Sequence, residues 1–249
     1  MINEIELFPG YWTTSEQNAL ARAKYHIERK FQPDQKAILL DVGCGEGRLL
    51  WEFEPYFANI IAIDPDAERI MNAQKTAEVK GLTNKISFQV ATIDQVNIYN
   101  SVDVVLCSHV IQHVRTEYVS LLLKKVKKVL VPGGLLILTT CHSTNNQDYY
   151  VKQFWQNGHA VEERISSADF DSLSTNYEGI LPIHYFSCNS LKKHLLSESF
   201  EILENRVFHI EQDFIIPAQV FDIDSFINKL LCLRCRYGRD IIVIAQSQV

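Results

Sequence analysis

Glycine is scarce in this chain, with 10 in 249 residues, and there are only 7 prolines and 2 methionines. That scarcity excludes collagen-like and low-complexity disordered chains. Basic residues do not dominate either. Against 30 Asp+Glu there are 24 Lys+Arg, a net charge of −6, so the basic stripe of a nucleic-acid binder is missing. The basic run at Lys124, Lys125, Lys127 and Lys128 reads as the solvated face of a helix. No stretch of about 18 apolar residues is present. The acidic opening Met1-Ile2-Asn3-Glu4-Ile5-Glu6 also lacks the basic start of a signal peptide. These features lead us to expect a soluble cytoplasmic protein with no membrane or nucleic-acid partner. Six cysteines are few and scattered, which suits buried thiols better than a disulfide framework. The one close pair, Cys232 and Cys235, falls in a run that reads as a helix over 223–235 and has no second pair to complete a four-ligand zinc site. No metal is expected from this pattern.

With 47% hydrophobic and 22% charged residues, the chain has the balance of a globular domain, and its length suits one large core or a core with a cap. Thr13 and Glu16 have the spacing of a capping box, so a first helix is expected from Thr13 to about Phe31, closed by Pro33. Short apolar runs at 37–42, 59–63, 86–90, 102–107 and 134–140 alternate with helical patterns at 65–80 and 116–130. Strands alternating with helices imply βαβ units and a parallel sheet. The rhythm breaks over 141–186, a polar and aromatic segment with Tyr149, Tyr150, Phe154, Trp155 and Tyr177 that we read as a cap. A helix at 188–197, a strand at 200–209, a helix at 223–235 and a last strand at 240–245 complete the pattern.

Half of the scarce glycines stand at two places, Gly43, Gly45 and Gly47 after the first strand and Gly133 and Gly134 near the fifth. A glycine-rich turn after the first parallel strand lets backbone approach a ligand, and the next helix offers its first amides. The site is therefore expected at the carboxyl edge of the sheet. Four segments carry a resemblance: Leu39-Leu40-Asp41-Val42-Gly43-Cys44-Gly45-Glu46-Gly47-Arg48, then Ile61-Ala62-Ile63-Asp64, then the run from Val102 to Val114, then Val131-Pro132-Gly133-Gly134-Leu135-Leu136-Ile137. In this order they resemble the class I S-adenosylmethionine-dependent methyltransferases. A dinucleotide-binding reading fits less well, because Arg48 occupies the third position of the G-x-G-x-x-G fingerprint, where its bulk obstructs helix–strand packing.

The resemblance implies an α/β, Rossmann-like three-layer sandwich. Its mainly parallel sheet would have seven strands in the order 3-2-1-4-5-7-6, the last antiparallel, with a cap inserted after strand 5. It divides a single domain, 1–249, into a helical lid at 1–33, a core that binds S-adenosylmethionine at 34–140, a substrate cap at 141–186, and a C-terminal part of the sheet at 187–249. Carried over residue by residue, Gly43, Cys44 and Gly45 would line the methionine part of the donor, and Asp41 would hold its amino group. Asp64 would accept the ribose hydroxyls, with Pro65 beside it; its alternative is an N-cap for the following helix. Thr92 and Ile93 would meet the adenine, in place of the family's more usual acid, and Ser108 would lie near the donor. Phe8, Tyr11 and Trp12 precede the first helix and would fold over the donor, where aromatic faces favour a sulfonium. His109 and His142 are the candidate bases, since imidazole accepts a proton near neutrality, while His113 reads as structural. The implied activity is methyl transfer to oxygen or nitrogen of a small molecule, leaving S-adenosylhomocysteine. A protein or peptide methyltransferase and a non-catalytic module binding the donor or its product are the alternatives.

Overall fold

The computed structural model describes residues 11–31, 36–175, 179–210 and 223–248. Phe8, Pro33 and Tyr177, singled out in the sequence, lie outside them. Strands β1 (Ile38–Val42), β2 (Asn59–Asp64), β3 (Ile86–Val90), β4 (Val102–Ser108), β5 (Leu130–Cys141), β9 (Phe200–Phe208) and β10 (Asp240–Ser247) form one sheet in the order β3-β2-β1-β4-β5-β10-β9. The first five run parallel, while β10 is antiparallel to both of its neighbours. The sandwich and strand order implied by the resemblance are thus those observed.

Side chains alternate across a strand, so a sheet covered on both faces needs apolar residues at every position. Leu40, Val42, Val105, Cys107, Ile241 and Val243 face one core with helix α4 (Tyr118–Val129), which contributes Val119, Leu122, Leu123 and Val126. Leu39, Val104, Leu106, Ile242 and Ile244 face the other, with Ala19, Leu20, Ala23 and Ile27 of α1 (Tyr11–Lys30). The segment expected as a lid therefore supplies a helix of the core layer. It also starts earlier than its capping signal, so Tyr11 and Trp12 form its first turn and Thr13 is not its cap.

Three other boundaries differ for identifiable reasons. After the glycine loop come turns and only the short α2 (Leu50–Phe53), because Gly43, Gly45 and Gly47 all take left-handed φ, which stops a helix from starting there. Helix α3 (Ala67–Val79) begins after Pro65, since the Asp66 side chain accepts from the amides of Glu68 and Arg69 and is the N-cap. The run at 223–235 breaks at Leu230 into α7 (Ile223–Lys229) and α8 (Leu231–Arg234).

The cap is an antiparallel sheet of β6 (Tyr149–Gln156), β7 (His159–Ile165) and β8 (Leu181–Tyr185), in the order β7-β6-β8, with helix α5 (Ser167–Leu173) between the last two strands. Asn157 and Gly158 join the hairpin with φ of 52° and 80°. Both values are positive, as a type I′ turn requires, and Asn-Gly is its preferred sequence. Helix α6 (Cys188–Ser197) returns the chain to the main sheet. Among the described residues, no helix is long and apolar enough to cross a membrane.

Candidate active site

Parallel pairing brings the ends of β1, β2, β4 and β5 to one edge, with Asp41 beside both Ala62 and Leu106 and Ser108 beside Thr139. On this edge the loop after β1 is tied to β2. The amides of Gly43 and Cys44 both donate to the Ile63 carbonyl, at 2.8 and 3.0 Å, and the Gly45 amide donates to Asp64 Oδ2 at 2.9 Å. Amides expected to greet a ligand are thus engaged with the protein, and what the loop offers is a fixed backbone surface. Gly43 is confined to glycine twice over, by a φ of 71° and by the 2.3 Å that would separate an added Cβ from Val110 Cγ2.

Asp64 accepts from the amides of Gly45 and Asp66, so it braces the loop and does not cap the helix. Each carboxylate oxygen keeps a lone pair for a hydroxyl group. Asp41 differs. It is 3% exposed and makes no hydrogen bond among the described residues; burial, with Asp64 adding its charge, pushes its carboxyl up to about 7. An orphaned buried acid beside a glycine loop suits a ligand that brings an ammonium group, as an amino-acid moiety does. The thiols here are unreactive: burial, reinforced by Asp41 and Asp64, raises the Cys44 pKa, and burial with Asp41 pushes Cys107 up to about 12.

Further along the edge, Thr92 is exposed and its hydroxyl donates to Asp94 Oδ1 at 2.7 Å. Ile93 is packed into the core, which leaves it little surface to cover a ring. Ser108 Oγ pairs with Thr139 Oγ1 at 2.7 Å, and Pro65 is exposed.

His109 follows β4 with a φ of 54°, a left-handed conformation that is uncommon outside glycine and costs energy. Its protonation can be read by following hydrogen bonds inward from groups whose roles are fixed. The Pro182 carbonyl of β8 can only accept, so His113 Nδ1, 2.8 Å away, carries the proton. Burial also holds the His113 pKa down, which keeps the ring neutral. Its Nε2 then accepts from the Gln112 amide nitrogen at 3.3 Å. This orients Gln112 so that its Oε1 takes the Cys141 amide at 3.0 Å and the Thr140 hydroxyl at 3.3 Å. His109 Nδ1, 3.0 Å from the same oxygen, must donate to it, so in the neutral ring the lone pair lies on Nε2. The histidine read as structural thus sets the tautomer of the candidate base through Gln112, which the sequence reading passed over.

His142 lies elsewhere. It is buried, its Nδ1 is 2.8 Å from the Gly238 carbonyl and its Nε2 is 3.2 Å from Cys188 Sγ. Burial lowers its pKa. With both ring nitrogens engaged, it braces the junction of β5 with α6 and presents neither to a substrate.

Next to His109, a second cluster, the candidate acceptor side, is built from residues distant in sequence. Register places Asp240 opposite both Cys141 and Phe208. Asp240 has a carboxylate oxygen within 4.8 Å of the Cys141 thiol sulfur and pairs with His209 Nδ1 at 2.6 Å. From the cap come Tyr185, whose hydroxyl donates to Glu162 at 3.0 Å, and Tyr149, stacked on Tyr185 with centroids 4.5 Å apart. Trp155, expected in the acceptor pocket, is 77% exposed near the hairpin tip. No local motif marks Asp240, His209 or Glu162; only the pairing of β10 with β5 and β9 brings the first two together.

A family described as "Methyltransferase domain" matches residues 40–138. A ubiquinone biosynthesis O-methyltransferase of Bradyrhizobium sp. (strain ORS 278) is 34% identical over 119 residues, covering 45% of this chain and 46% of that protein. The chain spans about half the length of the curated relatives it matches. Among solved structures, the 1,6-didemethyltoxoflavin-N1-methyltransferase of Burkholderia thailandensis, with S-adenosylhomocysteine bound, superposes with a TM-score of 0.59 at 12% identity, covering 96% of this chain and 84% of that one. A [4+2]-cyclase, SpnF, superposes at 0.56 with 17% identity, covering 94% of this chain and 82% of that one. At such identities a superposition shows the fold alone, and the cyclase illustrates that this fold hosts more than one chemistry. Matched domain, strand order and donor-edge motifs converge: residues 40–138 match a methyltransferase domain, set in the sheet of the class I, S-adenosylmethionine-dependent methyltransferase fold.

Proposed function

We propose that this protein transfers a methyl group from S-adenosylmethionine to a hydroxyl oxygen of a small aromatic molecule. The observation that carries the reading is the His109 ring, held by Gln112 so that the Nε2 lone pair remains at the sheet edge that also holds Asp41 and the glycine loop. Its oxygen acceptor is supported by the names of the relatives, and its aromatic character by the Tyr149–Tyr185 stack at the cap.

Bound S-adenosylmethionine supplies a methyl group already activated on a sulfonium, so the protein has to bind, orient and remove a proton. Asp41 would take the donor's ammonium and Asp64 its ribose hydroxyls, while Gly43, Cys44 and Gly45 would offer their backbone surface to its methionine part. Thr92, with its neighbour Asp94, remains the candidate contact for the adenine. His109 Nε2 takes the acceptor's hydroxyl proton as the oxygen attacks, leaving imidazolium and S-adenosylhomocysteine. General bases of this kind contribute about 10²-fold to 10⁴-fold.

Calorimetry with S-adenosylmethionine and S-adenosylhomocysteine, using NAD as the control, followed by turnover on a panel of small phenols, tests the proposal. Binding of the sulfur nucleotides alone with methylation of a phenol supports it. Donor binding without turnover on phenols, amines or peptides would point to a binding module.

A further inference from the structure

One ring nitrogen of His109, Sγ of Cys141 and a carboxylate oxygen of Asp240 lie within 4.8 Å of one another. They come from the ends of β4 and β5 and the start of β10, so the sheet itself fixes their spacing. One nitrogen, one sulfur and one oxygen donor form a set that suits zinc, and three protein ligands with a fourth position open is the arrangement of its reactive sites. We propose that His109, Cys141 and Asp240 form a binding site for a zinc-class divalent cation at the proposed acceptor end of the candidate site.

The surroundings are arranged as such a site needs. A metal-bound imidazole donates its other N–H to a fixed acceptor, and His109 Nδ1 does so to Gln112 Oε1 at 3.0 Å. A ligating carboxylate is itself held by a hydrogen bond, and His209 Nδ1 holds Asp240 Oδ2 at 2.6 Å. Before a cation binds, burial, with the charge of Asp240 adding to it, raises the Cys141 pKa and leaves the thiol its proton. A bound cation displaces that proton to solvent, and thiolate and carboxylate together then balance its two charges. The left-handed backbone of His109 holds the ring at this position.

The site goes beyond methyl transfer, and only its effect on turnover rests on the proposed function. A cation on Nε2 takes the lone pair assigned to the acceptor's proton, so the loaded protein binds donor unchanged and transfers methyl more slowly.

Titration of the metal-free full chain with cobalt(II) tests the site without donor or acceptor. A thiolate-to-cobalt charge-transfer band saturating at one ion per chain is expected. Cys141→Ser should abolish the band, Asp240→Asn should weaken binding at least tenfold, and Cys188→Ser and Cys235→Ser should retain both band and affinity. No band in folded wild-type protein overturns the proposal, as does a band that survives Cys141→Ser. If Cys141→Ser does not fold, unchanged affinity in Asp240→Asn overturns it. Loss of the band would leave the methyltransferase reading standing, and absence of methyl transfer would leave the cation site standing.

Discussion

The donor end and the proposed acceptor end of the candidate site are built by different means. At the donor end, Asp41, the glycine loop and Asp64 span fewer than thirty residues, and most of their bonds run through main chain. At the acceptor end, His109, Gln112, Cys141, Glu162, Tyr185, His209 and Asp240 meet through side chains drawn from the core, the cap and the last two strands. A part made of backbone is specified by a short motif and tolerates little change. A part made of dispersed side chains can vary one residue at a time.

Substitutions can break this contrast or sharpen it. The largest expected effect is at the acceptor end, where His109→Ala should cut turnover by about 10²-fold or more while calorimetry shows donor affinity unchanged. If both fall together, the two ends are not separable. At the donor end, Asp64→Ala should weaken S-adenosylmethionine binding by about tenfold or more, since the ribose contact and the brace on the Gly45 amide are lost together.

Asp41 gives a pH dependence. Its folded pKa of about 7 exceeds the unfolded value near 4, so the native state holds the extra proton between these limits. Its contribution to stability is therefore full below about pH 4 and declines as pH rises towards 7 and beyond. Donor binding should run the opposite way, strengthening as pH rises through about 7, because an ammonium favours the ionised acid; calorimetry in buffers of different ionisation enthalpy should show proton release. Asp41→Asn should remove this dependence and, at pH 8, raise the stability of the ligand-free protein by up to about 4 kcal/mol in denaturant titration.

The smallest effect is expected away from both ends. Asn157→Ala, at the hairpin turn, should cost about 1 kcal/mol, from placing an alanine in left-handed conformation, with donor affinity unaltered.

The same contrast explains what could be read from the sequence. Strands β1 to β4 and helix α4 were legible because apolar periodicity and tertiary burial agree, and Asp41 and Asp64 because they sit in contiguous motifs. The cap's hairpin carried a readable signal in Asn157-Gly158, obscured by the mixed polar and aromatic strands around it. The engaged state of His142 and the partnership of Asp240 with Cys141 and His209 had no local signal, since both follow from which strands become neighbours. The tautomer of His109 depends on a carbonyl 73 positions further along the chain, at Pro182.

That last dependence makes the cap more than a cover. The Pro182 carbonyl is the outermost member of a chain of hydrogen bonds that ends at the His109 ring, so displacement of β8 would release His113, then Gln112, and then the ring they orient. On the proposed function, an imidazole released in this way would carry its proton on either nitrogen and remove the acceptor's proton more slowly, so the hold of the cap on His113 would be felt as a loss of rate.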